Sequence, residues 1–163
     1  MILRAPANAL DPRMRTCWTV EGALAAAAAA LVTGVATGIA AALGADTAAW
    51  VMGGIGTVVT LTLAVLAVVV PRLDHRHFRY EVTEHGLYVA RGWLWRRWQV
   101  VPHARVQTVD TRAGPLLRAF GLVAVEVTTA SSRGGTSIPG LTPPVADALV
   151  AELALRAGLE EGA

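Results

Sequence analysis

Aromatic and basic side chains are concentrated in one short stretch of the chain. Indole rings favour the membrane–water interface, and guanidinium groups pair with the phosphates of anionic lipids or with carboxylates. This composition predicts a surface that binds anionic lipid or a protein partner. Because aromatic residues also fill cross-strand pairs inside sheets, internal packing is the alternative. The residues concerned are Trp93, Trp95, Arg96, Arg97 and Trp98.

Three further polar residues could recognise an anion. Arg105 and Gln107 are two positions apart and are expected on one face of a strand, where they could bind a carboxylate or a phosphate. The structural alternative, which we favour, is that they hold the segment 114–121 by hydrogen bonds. Arg118 lies beside Leu117 and Phe120, so it could direct a cation towards the bilayer or anchor its own loop.

Evidence for catalysis or metal binding is weak. His75 and His77 would share a face if their segment were extended, but no cysteine or carboxylate pattern completes a metal site, and solvent-facing linker histidines are the favoured interpretation. Cys17, the only cysteine, excludes an internal disulfide; it is an inert apolar residue or a palmitoylation site. Nucleophile-elbow, dinucleotide-binding, Walker and zinc-protease motifs do not occur. We therefore predict no catalytic residue, cofactor or metal.

The elements that must position these residues begin with two uncharged stretches, 22–45 and 47–71. In the whole chain of 163 residues, 54% are hydrophobic and 16% are charged. Each stretch exceeds the roughly 20 residues that a helix needs to cross a membrane. We predict two transmembrane helices, about 22–43 and 48–70 within the segment 22–71, joined by a short outside loop. Because neither span contains an ionisable residue, an ion or proton pathway is disfavoured.

Arginines flank the two spans, and the connecting loop has no basic residue. Under the positive-inside rule both termini are then cytoplasmic, including an N-terminal segment 1–21. The net charge of +2 gives little support to nucleic-acid binding. The flanking residues are Arg4, Arg13 and Arg15 before the first span, and Arg72, Arg76 and Arg79 after the second.

From residue 74 to 163 the pattern changes to alternating apolar and polar residues, which predicts β-strands. Strands are expected at 78–82, 87–95, 96–101, 105–110, 122–129 and 136–138, the last ended by Pro139 and Gly140. A helix is expected from Pro143, capped by Thr142, to a stop at Gly158. Its apolar stripe should cover the open end of a curved sheet.

Two runs in this domain carry a family resemblance. The run 98–109, WQVVPHARVQTV, resembles the "VP-x-x-R-[IV]-Q-x-V" signature of bacterial pleckstrin-homology-like (PH-like) domains. The run 114–122, GPLLRAFGL, resembles their "GPLxRxFGL" segment, and the preceding hairpin resembles the YdbS-like membrane proteins of this group. The resemblance implies a bent antiparallel sheet or partial barrel capped by a C-terminal α-helix, without a defined activity. The motif residues, expected to be structural, are Pro102, Arg105, Gln107, Gly114, Pro115, Phe120 and Gly121.

The resulting prediction is a bacterial inner-membrane protein with a two-helix transmembrane hairpin and a cytoplasmic, β-rich PH-like domain. The first functional hypothesis is a non-enzymatic scaffold that binds a protein partner or a second copy within a membrane assembly. The second is recognition of anionic lipid headgroups by Arg96, Arg97 and Arg118. The third is a subunit of a membrane enzyme or transporter.

Overall fold

Two long helices contain the uncharged stretches in the computed structural model, which describes residues 6–129 and 135–158. Helix α1 is Pro12–Ala42 and helix α2 is Asp46–His77, with Gly44 between them at a φ of 74°. Both helices are long and apolar enough to cross a membrane, and their apolar stretches are almost entirely exposed. Apolar surface of this extent is stable in hydrocarbon rather than in water, as expected for a transmembrane hairpin.

Within the unit Trp18–Arg72, small residues allow α1 and α2 to approach closely. A Cβ atom added to Gly22 would lie 2.7 Å from the Cβ of Ala67, and one added to Gly56 would overlap the side chain of Thr33. By contrast, a Cβ added to Gly34 or Gly38 would have no neighbour within 4 Å. Gly34 and Gly38, which have the G-x-x-x-G spacing typical of helix contacts, therefore lie outside the contact between the two helices.

The second unit combines the residues up to Cys17 with those from Leu73 onward, and it contains two antiparallel sheets. The first sheet has the order β1-β2-β3-β4 and the second the order β5-β6-β7. A short helix, α3, precedes β6, and the last helix, α4, packs on the second sheet. The bounds are β1 Asn8–Ala9, β2 Arg79–Thr83, β3 Gly86–Arg91, β4 Arg97–Pro102, β5 Val106–Arg112, α3 Pro115–Ala119, β6 Val123–Thr129, β7 Thr136–Leu141 and α4 Pro143–Ala157.

The core of this unit follows the alternation in the sequence. Leu87 and Val89 of β3 are fully buried, as are Val125 and Val127 of β6, because residues two apart share a sheet face. Helix α4 contributes a buried face consisting of Ala146, Leu149 and Leu153, whereas Val145 of the expected stripe is exposed. The architecture confirms the predicted β-rich, helix-capped PH-like fold.

The N-terminal segment joins this fold, which the sequence pattern did not predict. Asn8 pairs with Tyr80 to make β1 the edge strand beside β2, and the amide of Asp11 donates a hydrogen bond to the carbonyl of Gly140 at 3.0 Å. Met14 is buried, and its side chain lies against Gly140. Segments before and after the transmembrane hairpin therefore fold together.

Three other local predictions differ from the structure. Strand β7 continues through Pro139 and Gly140, because a register irregularity between β6 and β7 accommodates Gly140 at a φ of 69°. Arg105 ends a 3-10 turn that precedes β5 rather than lying on that strand. Thr142 caps α4 by position without a side-chain hydrogen bond. Arg4 and residues 130–134, between the strands expected at 122–129 and 136–138, lie outside the described residues.

Candidate functional site

The aromatic and basic stretch forms the tip of the β3–β4 hairpin. Arg91 and Arg97 are the last paired residues of the two strands, and residues 92–96 connect them. Gly92 has a φ of 91°, and a Cβ atom there would overlap the carbonyl oxygen of Trp95. Glycine is therefore required for this reversal, since only glycine adopts such a conformation at little cost.

Apolar side chains at this tip face outward. Trp95 is 84% exposed, Leu94 is 65% exposed and Trp93 is 41% exposed. Trp98, at the start of β4, is 37% exposed. The ring of Trp95 is therefore not packed in the core, which was the alternative interpretation of the sequence. Contiguous exposed apolar groups of this size are typical of membrane-binding or partner-binding surfaces.

A cleft of about 160 Å³ lies at the base of the same hairpin. The end of α2, the start of β2 and both strands of the hairpin contribute residues to its wall. Of the described residues that line it, half are arginines and none is acidic. The lining is Pro6, Arg76, His77, Arg79, Ala90, Arg91, Gly92, Arg96, Arg97 and Trp98.

We name these five arginines, Arg76, Arg79, Arg91, Arg96 and Arg97, the arginine cluster. Across the ranges 6–129 and 135–158, no ion pair joins a member of the cluster to an acid. Arg79 donates a hydrogen bond to the carbonyl of Phe78 at 2.9 Å. The cluster therefore places five positive charges around one cleft, and no described acidic residue forms an ion pair with them.

Register explains how two members of the cluster meet. Arg91 pairs directly with Arg97 in the antiparallel ladder, so both side chains leave the same face of the sheet. Like charges in directly opposite positions repel and are destabilising. Both residues also line the cleft, so the ladder places two positive charges on the same side of the hairpin base.

The structure separates the remaining predicted residues from this surface. Arg118 is exposed on α3 and does not line the cleft. Arg105 and Gln107 are exposed, and their side chains form no hydrogen bond with any described residue, so the expected tie to segment 114–121 is not made by these side chains. Instead, the guanidinium of Arg13 lies 3.5 Å from the carbonyl oxygen of Phe120.

The other motif residues shape the backbone. Pro102 ends β4 and precedes the 3-10 turn, while Gly114 precedes α3 with Pro115 at its first position. Gly121 has a φ of 65° and follows α3 at the turn into β6. These roles are consistent with the structural interpretation of the motif.

Two buried polar side chains stabilise the strands that carry the site. The Nε2 atom of His103 lies 2.8 Å from the carbonyl oxygen of Thr83, which fixes the β2–β3 turn against the 3-10 turn. Tyr80 of β2 is buried next to Arg79, and burial raises the pKa of its phenol above 10.0 because the phenolate loses hydration.

Metal-ligating residues are not grouped in the part of the chain that the structure describes. No cluster of three or more histidine, cysteine or acidic side chains occurs there. His75 and His77 lie on α2 rather than on a strand; their ring nitrogens lie 3.1 Å and 2.7 Å from the carbonyl oxygens of Asp11 and Leu73. Cys17 is buried.

Sequence reasoning missed three members of the cluster. Arg76 and Arg79 were expected only to define membrane topology. Arg91 was expected on a strand of the folded domain, among the arginines available to an anionic ligand, but it was not among the candidate binding residues. A signal existed for Arg91, because Arg91 and Arg97 are equidistant from Leu94 and a hairpin reversing there pairs them. The contributions from α2 and β2 depend on tertiary packing.

Comparisons with known proteins agree with this architecture. A family model described as Bacterial PH domain matches residues 22–157. The chain is 38% identical over 100 residues to the UPF0699 transmembrane protein YdbS of Bacillus subtilis (strain 168). That alignment covers 61% of this chain and 62% of the relative, so the chain spans less than two thirds of that protein's length. No solved structure matches the chain.

Proposed function

Because the chain belongs to the bacterial PH domain family, we propose that this membrane-spanning protein is a non-catalytic binding module whose β3–β4 hairpin tip binds the anionic surface of the bacterial inner membrane. The observation that carries the proposal is the exposure of Trp95, Leu94 and Trp93 directly beside Arg96 and Arg97. Indoles enter the headgroup zone while arginines meet lipid phosphates, so this surface suits an anionic bilayer.

The topology that we propose places both termini and the PH unit in the cytoplasm. Arg13 and Arg15 precede the apolar part of α1, and Arg72 and Arg76 follow that of α2. The turn 43–45 between the helices has no basic residue. Since basic residues are retained on the cytoplasmic side, this distribution supports an outside turn.

Because the PH unit is covalently joined to the transmembrane helices, weak contacts between the hairpin tip and lipid are sufficient for membrane binding. The second unit resumes at Leu73, two residues after the uncharged stretch ends at Pro71. Each arginine near an anionic leaflet contributes about 1 kcal/mol, and tethering gives the tip a high effective concentration at the membrane. A surface that would bind free vesicles poorly can therefore remain at the bilayer in the intact protein.

Quenching by brominated lipid tests the proposal on the full chain. Trp18→Phe and Trp50→Phe substitutions leave only the three tryptophans of the hairpin. The protein is reconstituted in nanodiscs with brominated or ordinary acyl chains, with and without phosphatidylglycerol. We expect quenching by the brominated chains that increases with the anionic fraction, because indoles at the interface lie next to the lipid.

A matched pair of variants defines the contribution of the arginines. Replacing Arg96 and Arg97 with glutamine should reduce the quenching in anionic nanodiscs. Arg112→Gln serves as the control, because Arg112 lies on β5 and is 3.1 Å from Glu126. Hairpin tryptophans that are not quenched in either lipid would refute membrane binding by the tip.

A protein partner is the second candidate, and the outer strands of the two sheets favour it. In the described ranges β4 and β5 are edge strands, and most of their side chains are exposed. An exposed edge can accept an added strand from another protein or a second copy. A photo-crosslinker at Trp95 or at Thr111 of β5 would then label protein, whereas membrane binding predicts labelling of lipid from the tip.

A further inference from the structure

We propose that the arginine cluster binds a phosphate group, supplied by a phospholipid headgroup or by a soluble phosphate ester. The proposal rests on the proposed function for its membrane location and adds a defined ligand class and site. The site is the cleft between the start of β2 and the base of the β3–β4 hairpin.

The size of the cleft suits one phosphate-bearing group. Its volume is about 160 Å³, which is room for a group several times larger than one water molecule. A phosphate with part of a glycerol or sugar fits such a space, whereas a complete lipid does not. The acyl chains of a bound lipid would have to remain outside, in the bilayer.

Uncompensated charge is the strongest evidence for an anion. Arg91 and Arg97 are directly opposite in the ladder, and among the described residues neither has an acidic partner. Glu81, on the same strand as Arg79, accepts a hydrogen bond from the amide of Ala7 at 3.2 Å and does not line the cleft. An anion in the cleft would relieve a repulsion that no acidic residue within 6–129 or 135–158 relieves through an ion pair.

The number and origin of the arginines favour phosphate over carboxylate. A carboxylate has two oxygens in one plane, and a single bidentate guanidinium can bond to both of them. A phosphate group presents more oxygens in a tetrahedral arrangement, so it can accept from several guanidinium groups that approach from different directions. Arginines from α2, β2 and the hairpin approach in this way.

Chain connectivity makes a lipid headgroup the nearest source. Arg76 follows Pro71, the last residue of the uncharged stretch, by five positions, and α2 continues to His77. Five helical residues span about 8 Å, and the headgroup layer extends roughly 5–8 Å beyond the hydrocarbon core on each side. Arg76 therefore follows the end of the membrane span by a distance comparable to the thickness of the headgroup layer.

Two binding measurements on the full chain in maltoside detergent distinguish the sources. Calorimetric titration with inorganic phosphate and with glycerol 3-phosphate, at constant ionic strength, tests the soluble source. Native mass spectrometry with added phosphatidylglycerol counts retained lipids and tests the headgroup source. Saturable binding in either measurement supports the phosphate site, and the measurement in which it occurs identifies the source.

The decisive variant is Arg91→Gln combined with Arg97→Gln. We expect at least a tenfold weaker affinity for phosphate, or loss of the retained lipid. The control Arg112→Gln should bind like the wild type, since Arg112 is paired with Glu126 outside the cleft. The variant is expected to unfold at a urea midpoint no lower than that of the wild type, because a like-charge pair has been removed.

Charge and geometry are separated by Arg91→Lys combined with Arg97→Lys. Lysine keeps the charge but lacks the bidentate fork, so we expect an affinity between those of the wild type and the glutamine variant. Lack of saturable binding of phosphate, glycerol 3-phosphate and lipid to the wild type would overturn the site. Equal binding by the wild type and the folded glutamine variant would also overturn it. Quenching of the hairpin tryptophans in nanodiscs without binding in the cleft would refute the phosphate site and leave membrane binding by the tip intact. Binding in the cleft without quenching would refute membrane binding by the tip and leave the phosphate site intact.

Discussion

Gly92→Ala is expected to destabilise the hairpin tip that carries Trp93 to Arg96. Gly92 has a φ of 91°, in the region that side chains with a Cβ atom disfavour. Its added Cβ would overlap the carbonyl oxygen of Trp95 and lie 3.2 Å from the carbonyl carbon. Because the obstructing atoms belong to the backbone, a change of rotamer cannot relieve the contact.

The magnitude has two parts. A left-handed conformation costs a residue with a Cβ about 1–2 kcal/mol, and a steric overlap that requires a backbone shift costs about 1–3 kcal/mol. We therefore expect the free energy of unfolding to decrease by about 2–5 kcal/mol. Two other glycines separate these parts. Gly158 has a φ of 67° and Gly114 a φ of −69°, and at both an added Cβ would have no neighbour within 4 Å.

The assay is urea unfolding of the full chain in mild detergent, followed by tryptophan fluorescence, with the free energy taken from the midpoint and slope. Gly158→Ala should show only the cost of its conformation, and Gly114→Ala should be close to neutral. Gly92→Ala should also reduce quenching by brominated lipid in nanodiscs. A Gly92→Ala protein as stable as the Gly114→Ala protein would refute the reasoning about the tip.

The remaining predictions concern the transmembrane hairpin and the buried phenol. Gly56→Ala should weaken the α1–α2 contact by about 1–3 kcal/mol, since its Cβ would overlap Thr33. Gly54→Ala should have no such effect, because its Cβ would have no neighbour within 4 Å. The midpoints of detergent denaturation of the two variants check this, and equal midpoints would contradict the packing. Spectrophotometric titration should show Tyr80 ionising above pH 10.0, since burial raises its pKa, and Tyr80→Phe and Tyr88→Phe identify which phenol is measured. The phenol of Tyr80 has a lower pKa in the unfolded chain than in the folded protein. Its contribution to the free energy of unfolding is therefore fully present below pH 10.0 and is lost as the pH rises through the folded pKa. If the Tyr80→Phe protein lost stability with pH in the same way as the wild type over this range, that linkage would be refuted.

Much of the fold could be predicted because it depends on patterns local in the chain. Uncharged stretches longer than a membrane span predicted α1 and α2, and alternation around Leu87 and Val125 predicted sheet strands with one buried face. The cap at Thr142 and the stop at Gly158 predicted the final helix, and the family resemblance added that this helix covers a bent antiparallel sheet or partial barrel. Strand β1 could not be predicted, because the pair Asn8–Ala9 is too short to show periodicity and forms only through pairing with β2.

The candidate site is divided in the same way. Composition alone indicated Trp93 to Trp98 as a candidate binding surface, because exposed indoles favour the membrane interface and arginines pair with lipid phosphates. The sequence also suggested that Arg118 acts together with Arg96 and Arg97, but Arg118 lies on α3 and does not line the cleft. The distance between arginines along the chain did not indicate which of them would line the same cleft.

The sequence by itself determined the membrane anchor, the β-rich class of the domain and the chemistry of the hairpin, since each follows from the solvation preferences of neighbouring residues. Only the tertiary structure decided that Trp95 is exposed and that the arginine cluster forms one cleft. Strand register placed Arg91 opposite Arg97, and packing brought Arg76 and Arg79 beside them. The physical reason is that electrostatic repulsion and anion binding depend on distances in space, which residues far apart in the chain acquire only on folding.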